Sequence, residues 1–171
     1  MDIRRGAAAP PANRDERDER TMDDRFQKVW SRVTASKPAE DDERLRAFLA
    51  DEQKAAAEYA DLARRTGAAP AKRLFMRLAN EERDHAKQLE MMLYMLNGGI
   101  HPLPQKRENS GRGKMLQALR SQYAAEQRSV EAYSAAAAET RDQRLSALYS
   151  RLAADEQKHG DALLGLLQRL M

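Results

Sequence analysis

At 171 residues the chain is the size of one domain and long enough to bury a substantial core. Its 30 basic and 27 acidic side chains leave a net charge of only +3 and are mixed along the chain, with no uninterrupted basic stripe, which argues against nucleic-acid binding. The lack of cysteine excludes disulfides, thiolate zinc sites and cysteine-ligated iron; without an apolar leader or a run of membrane-spanning length, the expectation is a soluble cytoplasmic protein with no membrane partner.

Abundant Ala, Leu, Arg, Glu and Met and few aromatic or β-branched runs predict an all-α fold. Residues 1–35 read as an N-terminal extension: arginines and acids alternate up to about residue 24, too polar to build a core. Phe26, Val29, Trp30 and Val33 then fall at helical spacing, which predicts a short amphipathic helix that caps the main body or docks on a neighbouring subunit. Residues 36–171 form the bundle.

Ser36 before Pro38, followed by Glu40, Asp41 and Asp42, marks the start of a first long helix over about 38–66, ending at Gly67. Its inward face reads Leu45, Phe48, Leu49, Glu52, Ala56, Tyr59, Leu62 and Ala63. Pro70 opens a second helix that Gly98-Gly99 closes, facing inward with Leu74, Leu78, Glu82, His85, Leu89, Met92 and Leu96. Residues 100–113 carry two prolines and a polar, glycine-containing end, and are long for a hairpin connection. At roughly 3.3 Å per residue they could span about 45 Å, the length of a long helix, so they are expected to form a crossover. His101, within this stretch, has no partner at ligand spacing and reads as a surface histidine.

The third helix is predicted over about 114–140, with Leu116, Leu119, Tyr123, Glu126, Val130, Tyr133 and Ala137 inward. The fourth runs from about 142 to the end, with Leu145, Leu148, Leu152, Glu156, His159, Leu163, Leu166 and Leu170 inward. Short, long, short connections make a four-helix bundle with one long crossover between the second and third helices.

An offset of 74 superimposes the two halves: Glu52 on Glu126, Tyr59 on Tyr133, Leu78 on Leu152, Glu82 on Glu156, His85 on His159. The bundle is therefore an internal twofold repeat of one helical hairpin. A single Glu-x-x-His in a charged helical protein carries little weight, since most such glutamates lie on solvated faces. Here the motif occurs twice, each copy interrupts an apolar stripe, and each has a glutamate thirty residues upstream. Residues three apart share a helix face, so Glu82 with His85, and Glu156 with His159, can each hold a metal. Four carboxylates in a dry bundle centre would be prohibitive without positive charge beside them. Two metal ions meet that need: one carboxylate from each of two helices plus Glu-x-x-His from each of the others is the arrangement of bundle-core carboxylate centres. Oxygen and imidazole donors suit iron or manganese. Glu82 and Glu156 are the expected bridging ligands, Glu52 and Glu126 the terminal ones, and Tyr59 and Tyr133 are placed to hydrogen-bond the ligand carboxylates. A tyrosine on an inward stripe is otherwise ordinary core.

Over residues 40–170 these residues resemble the ferritin-like superfamily, in particular its rubrerythrin and erythrin branch. The resemblance implies a non-haem protein with two iron ions per site that reduces hydrogen peroxide or oxidises ferrous iron with O2. Rubrerythrins usually carry a four-cysteine rubredoxin module; with no cysteine here, electrons are expected from an external donor. They also carry a further glutamate three residues after the third-helix ligand, where this chain has Ser129, leaving a symmetrical set closer to bacterioferritin. The alternatives are a ferroxidase or iron-storage protein working in an assembly, and a structural bundle stapled by its metals. A homodimer is expected, with exchange of hairpins between subunits open because each half carries half a site.

Overall fold

In the computed structural model, residues 38–97 and 114–169 are described. They form four helices: α1 (Pro38–Arg65), α2 (Ala69–Asn97), α3 (Met115–Glu139) and α4 (Gln143–Gln168). The expected short helix over Phe26–Val33, the surface reading of His101 and the inward Leu170 lie outside the described residues, as does the path of residues 98–113. No strand occurs among the described residues, and none of their helices is long and apolar enough to cross a membrane.

Local chemistry sets the helix ends within one or two residues of expectation, apart from the end of α4 at Gln168, where the helix was expected to reach the last residue. α1 carries Glu40 and Asp41 in its first turn and Arg64 and Arg65 in its last, each opposing the dipole charge at that end. Thr66 Oγ1 accepts from the Ala68 amide at 3.2 Å in the tight connection, and Pro70 sits in the first turn of α2. Between α3 and α4 the Asp142 side chain accepts from the Arg144 amide at 2.8 Å, an N-cap that starts α4. Ser146 Oγ donates to the Ala137 carbonyl at 2.8 Å and fastens the same corner.

Cross-helix contacts fix the topology. Arg44 pairs with Glu139 at 2.7 Å and Gln122 donates to Glu58 at 2.6 Å, so α1 and α3 run antiparallel. His85 with Glu156, and His159 with Glu82, make α2 and α4 antiparallel as well. The two tight connections make each hairpin antiparallel, so α2 and α3 run in the same direction. α2 thus ends at the opposite end of the bundle from where α3 begins. Sixteen residues separate Asn97 from Lys114. At most about 3.3–3.6 Å each, they reach further than the roughly 1.5 Å rise per residue that α2 makes.

The core falls into two apolar clusters. One contains Leu45, Leu49, Leu89, Leu145, Tyr149 and Leu152; the other Leu62, Phe75, Leu78, Leu119 and Leu163. Seven polar residues among those described are nevertheless buried: Glu52, Glu82, His85, Gln122, Glu126, Glu156 and His159. Six of them are the residues singled out by the repeat. The buried stripe is wider than the predicted faces: Phe75 and Tyr149, equivalent under the offset of 74, are both fully buried although neither lies on the narrow stripe read from the sequence.

Candidate metal centre

Each helix delivers its share of the site from the middle of its length. Glu52 comes from α1 and Glu126 from α3; Glu82 and His85 from α2, and Glu156 and His159 from α4, point inward together because three residues is nearly one helical turn. The ligand-capable atoms fall into two groups of four, each within 4.8 Å: Glu52, Glu82, His85 and Glu156 in one, Glu82, Glu126, Glu156 and His159 in the other. Glu82 and Glu156 belong to both.

The shared pair divides its oxygens between the groups. Glu82 Oε2 lies 3.1 Å from His85 Nδ1 while its Oε1 lies 3.0 Å from His159 Nδ1. Glu156 Oε1 is 3.1 Å from His85 Nδ1, and its Oε2 is 3.9 Å from His159 Nδ1. Glu52 reaches only His85, at 3.6 Å, and Glu126 only His159, at 3.8 Å. The imidazoles face each other with centroids 5.4 Å apart and planes inclined by 19°.

Tyrosines close the site across the halves. Tyr59 of α1 donates to Glu126 of α3, and Tyr133 of α3 donates to Glu52 of α1. Burial, followed by the carboxylate charge it faces, pushes each phenol well above its ordinary range, so both remain protonated donors. Phe48 packs on Tyr133 with centroids 4.2 Å apart, and Phe75 lies against Tyr59 at 6.5 Å.

Two further residues escaped the sequence reading. Glu81 Oε2 lies 3.0 Å from His159 Nε2, and Asp155 Oδ2 lies 3.7 Å from His85 Nε2. Each helix thus sends a carboxylate to the outer nitrogen of the opposite imidazole, favouring the tautomer with hydrogen on Nε2 and a lone pair on Nδ1 facing inward. The signal was present: a carboxylate precedes each motif glutamate, and Glu81 and Asp155 are themselves 74 apart. A cavity of about 320 Å³, open to the surface, runs along these outer edges and is lined by Arg77, Glu81, Asp84, His85, Gln88, Asp155, Lys158 and His159.

The electrostatics are those of a site short of positive charge. Burial, with Glu82 close by, raises Glu52 to about 8 against the opposing bonds from His85 and Tyr133. Burial and the neighbouring Glu156 raise Glu126 to about 10. Burial alone would lower His85, but Glu156, Glu52 and Glu82 outweigh it and push the imidazole up to about 12. Burial would likewise raise Glu82, yet the two imidazoles that lie 3.0–3.1 Å from its oxygens hold it down at about 2. Its twin Glu156 moves upward through burial, which the one close imidazole, His85, opposes without overcoming, His159 standing farther off. Protons therefore supply the compensation that the fold leaves open.

The residues fit a pair of metal ions. Glu82 Oε1, Glu126 Oε2, Glu156 Oε1 and His159 Nδ1 are buried without a hydrogen-bond partner, and these lone pairs come from α2, α3 and α4 onto one centre. Such groups are costly unless something accepts their electrons. Carboxylate oxygen with imidazole nitrogen, and no thiolate, is a donor set for iron or manganese. Comparison with curated proteins gives no match. The family model for rubrerythrin matches residues 43–167, spanning all six of these ligand-capable residues, and the chain belongs to the rubrerythrin family.

Proposed function

We propose that Glu52, Glu82, His85, Glu126, Glu156 and His159 hold two iron ions and that the protein is a di-iron oxidoreductase that reduces hydrogen peroxide, with O2 as the slower oxidant. The observation that carries this reading is the pair of four-residue groups sharing Glu82 and Glu156, with inward lone pairs left unsatisfied. Family membership supports di-iron oxidoreductase chemistry in general.

Bound iron supplies the two electrons that cleave the O–O bond and the Lewis acidity that polarises it. This chain's residues set the conditions. Glu82 and Glu156 each present one oxygen to either half and would serve both ions. Tyr59 and Tyr133 hold the terminal carboxylates in place, and Glu81 and Asp155 hold the imidazoles edge-on. The cavity along His85 and His159 gives a small polar molecule a path from the surface to their outer edges, and the apolar clusters keep bulk water from the interior. Two protons and two electrons per peroxide yield two waters, and an external electron donor restores the reduced state.

Stopped-flow oxidation of anaerobically iron-loaded protein tests this. Oxidation by peroxide faster than by O2 is expected; a site oxidised by neither reagent would overturn the assignment. A ferroxidase role in iron storage is favoured by one observation, Ser129 in place of a further carboxylate, which leaves the ligand set symmetrical. Size-exclusion chromatography separates the two, because storage requires a large hollow assembly whereas the peroxidase reading expects a homodimer.

A further inference from the structure

We propose that the groove between the C-terminal half of α2 and the N-terminal half of α4 is the docking surface for the external electron donor, a small acidic one-electron carrier protein. The inference rests on the oxidoreductase reading above. The groove has a volume of about 480 Å³, and its walls carry Met91, Met92 and Met95 together with Lys87, Arg144 and Arg151, with no carboxylate among its lining residues. Met91 is 60% exposed and Met95 54%, with Tyr94 beside them at 52%, the densest run of large exposed apolar side chains among the described residues.

The internal repeat supplies a control for what the fold itself requires. Shifted by 74, Met92 falls on Leu166 and Leu148 on Leu74, so positions facing the core stay aliphatic in both copies. Among the solvent-facing positions Arg151 matches Arg77, but Met91 corresponds to Gly165, Met95 to Arg169 and Lys87 to Asp161. A Cβ at Gly165 would meet nothing within 4 Å, so that copy leaves open space where the first carries a methionine. Packing therefore does not demand Met91 or Met95. Flexible, polarisable methionines suit a surface that must adapt to a partner.

Charge selects the partner. Arg151 hydrogen-bonds Gln88, and no carboxylate is paired with it among the described residues. Among the described residues Lys87 and Arg144 pair with Asp84 and Asp142 on their own helix or cap, pairs near the surface that yield readily to a better partner. A cation-ringed apolar groove steers and orients an acidic surface. A second copy of this chain is disfavoured, because a twofold interface on this patch would bring like cations together. Position gives the purpose: Gln88 lines both this groove and the cavity that reaches His85, so a docked carrier sits against the edge of the proposed metal centre.

The test uses iron-loaded full-length protein and a plant-type ferredoxin as the acidic carrier, with binding followed calorimetrically at low salt. Lys87→Glu with Arg151→Glu should weaken binding roughly tenfold or more, and Met91→Ser with Met95→Ser severalfold. Arg73→Glu with Arg169→Glu, an equal charge change on the twin face, should leave it unchanged. Equal loss in both charge-reversed variants, no binding by the unaltered protein, or a dimer in sedimentation that Met91→Ser with Met95→Ser dissociates, would overturn the proposal. Reoxidation of the reduced carrier on adding peroxide is read separately. Groove-dependent binding without reoxidation leaves the docking surface standing and counts against the peroxidase reading. Peroxide turnover with binding indifferent to the groove does the reverse.

Discussion

Tyr59 on α1 donates its phenolic hydrogen to Glu126 on α3, and the repeat returns the same bond from Tyr133 to Glu52. Each half of the molecule therefore supplies a hydrogen bond to a ligand-capable carboxylate of the other. A buried carboxylate that loses such a donor bears the cost of desolvation unaided, about 1–3 kcal/mol. Tyr59→Phe and Tyr133→Phe should each lower stability by that order and weaken metal binding by roughly ten- to a hundredfold without changing the two-metal stoichiometry. Thermal melts and competition with a chelator check both parts; unchanged affinity in the double variant would show that the tyrosines are only packing.

The outer carboxylates should differ in weight. Glu81 stands 3.0 Å from His159 Nε2, Asp155 3.7 Å from His85 Nε2. The charge of the nearer carboxylate acts on its imidazole more strongly than that of the farther one. Glu81→Ala should therefore cost more metal affinity than Asp155→Ala, with Glu81→Gln recovering part of the loss because its amide oxygen still accepts from Nε2. Chelator competition on the three variants gives the order, and an Asp155→Ala effect larger than that of Glu81→Ala would contradict it.

Much of this was legible from residue spacing alone. The offset of 74 placed all six ligand-capable side chains, and the structure brings them into two overlapping groups. Helix ends followed from Pro38, Pro70 and Asp142, whose effects are local. What the spacing did not reveal is tertiary. That Tyr59 serves Glu126 rather than a carboxylate on its own helix depends on the antiparallel packing of α1 against α3. Glu81 and Asp155 were not singled out because their partner lies on the opposite helix. Phe75 and Tyr149 were missed because a helix with neighbours on two sides buries a wider arc than one apolar stripe. Gln122, buried beside Glu58, has Phe48 as its twin, so the repeat itself gave no hint of a polar contact there.

Stability of the metal-free protein should fall as pH rises. Glu52 and Glu126 are raised from 4.5 to about 8 and about 10, and His85 from 6.5 to about 12. For a raised group the folded state keeps a proton that the unfolded chain has released, so its stabilising contribution is complete below the unfolded value and is lost as pH climbs through the folded one. Glu82, depressed to about 2, acts in the opposite sense but only below 4.5. From about pH 5 upward the slope is therefore downward. Metal ions replace those protons, so loading with Mn(II), which is stable in air, should flatten the slope. The gap in Tm between loaded and metal-free protein should widen between about pH 5.5 and about pH 8.5. A gap that narrows would mean the buried protons do not compensate the site.

Stoichiometry separates shared from terminal ligands. Removing Glu52 leaves the group of Glu82, Glu126, Glu156 and His159 complete, whereas removing Glu82 strips a member from both groups. Glu52→Ala should accordingly retain about one metal ion per chain and lose the second, and Glu126→Ala should do the same from the other side. Glu82→Ala and Glu156→Ala should fall well below one, because each group then keeps three donors and loses the carboxylate that balances charge between the ions. Glu82→Ala also takes from both imidazoles a carboxylate that lies 3.0–3.1 Å from each, so its loss should exceed that of Glu156→Ala. Elemental analysis of desalted, anaerobically loaded protein reads all four directly. Equal loss in Glu52→Ala and Glu82→Ala would mean that neither carboxylate is shared, and that two separate mononuclear sites stand where a bridged pair is proposed.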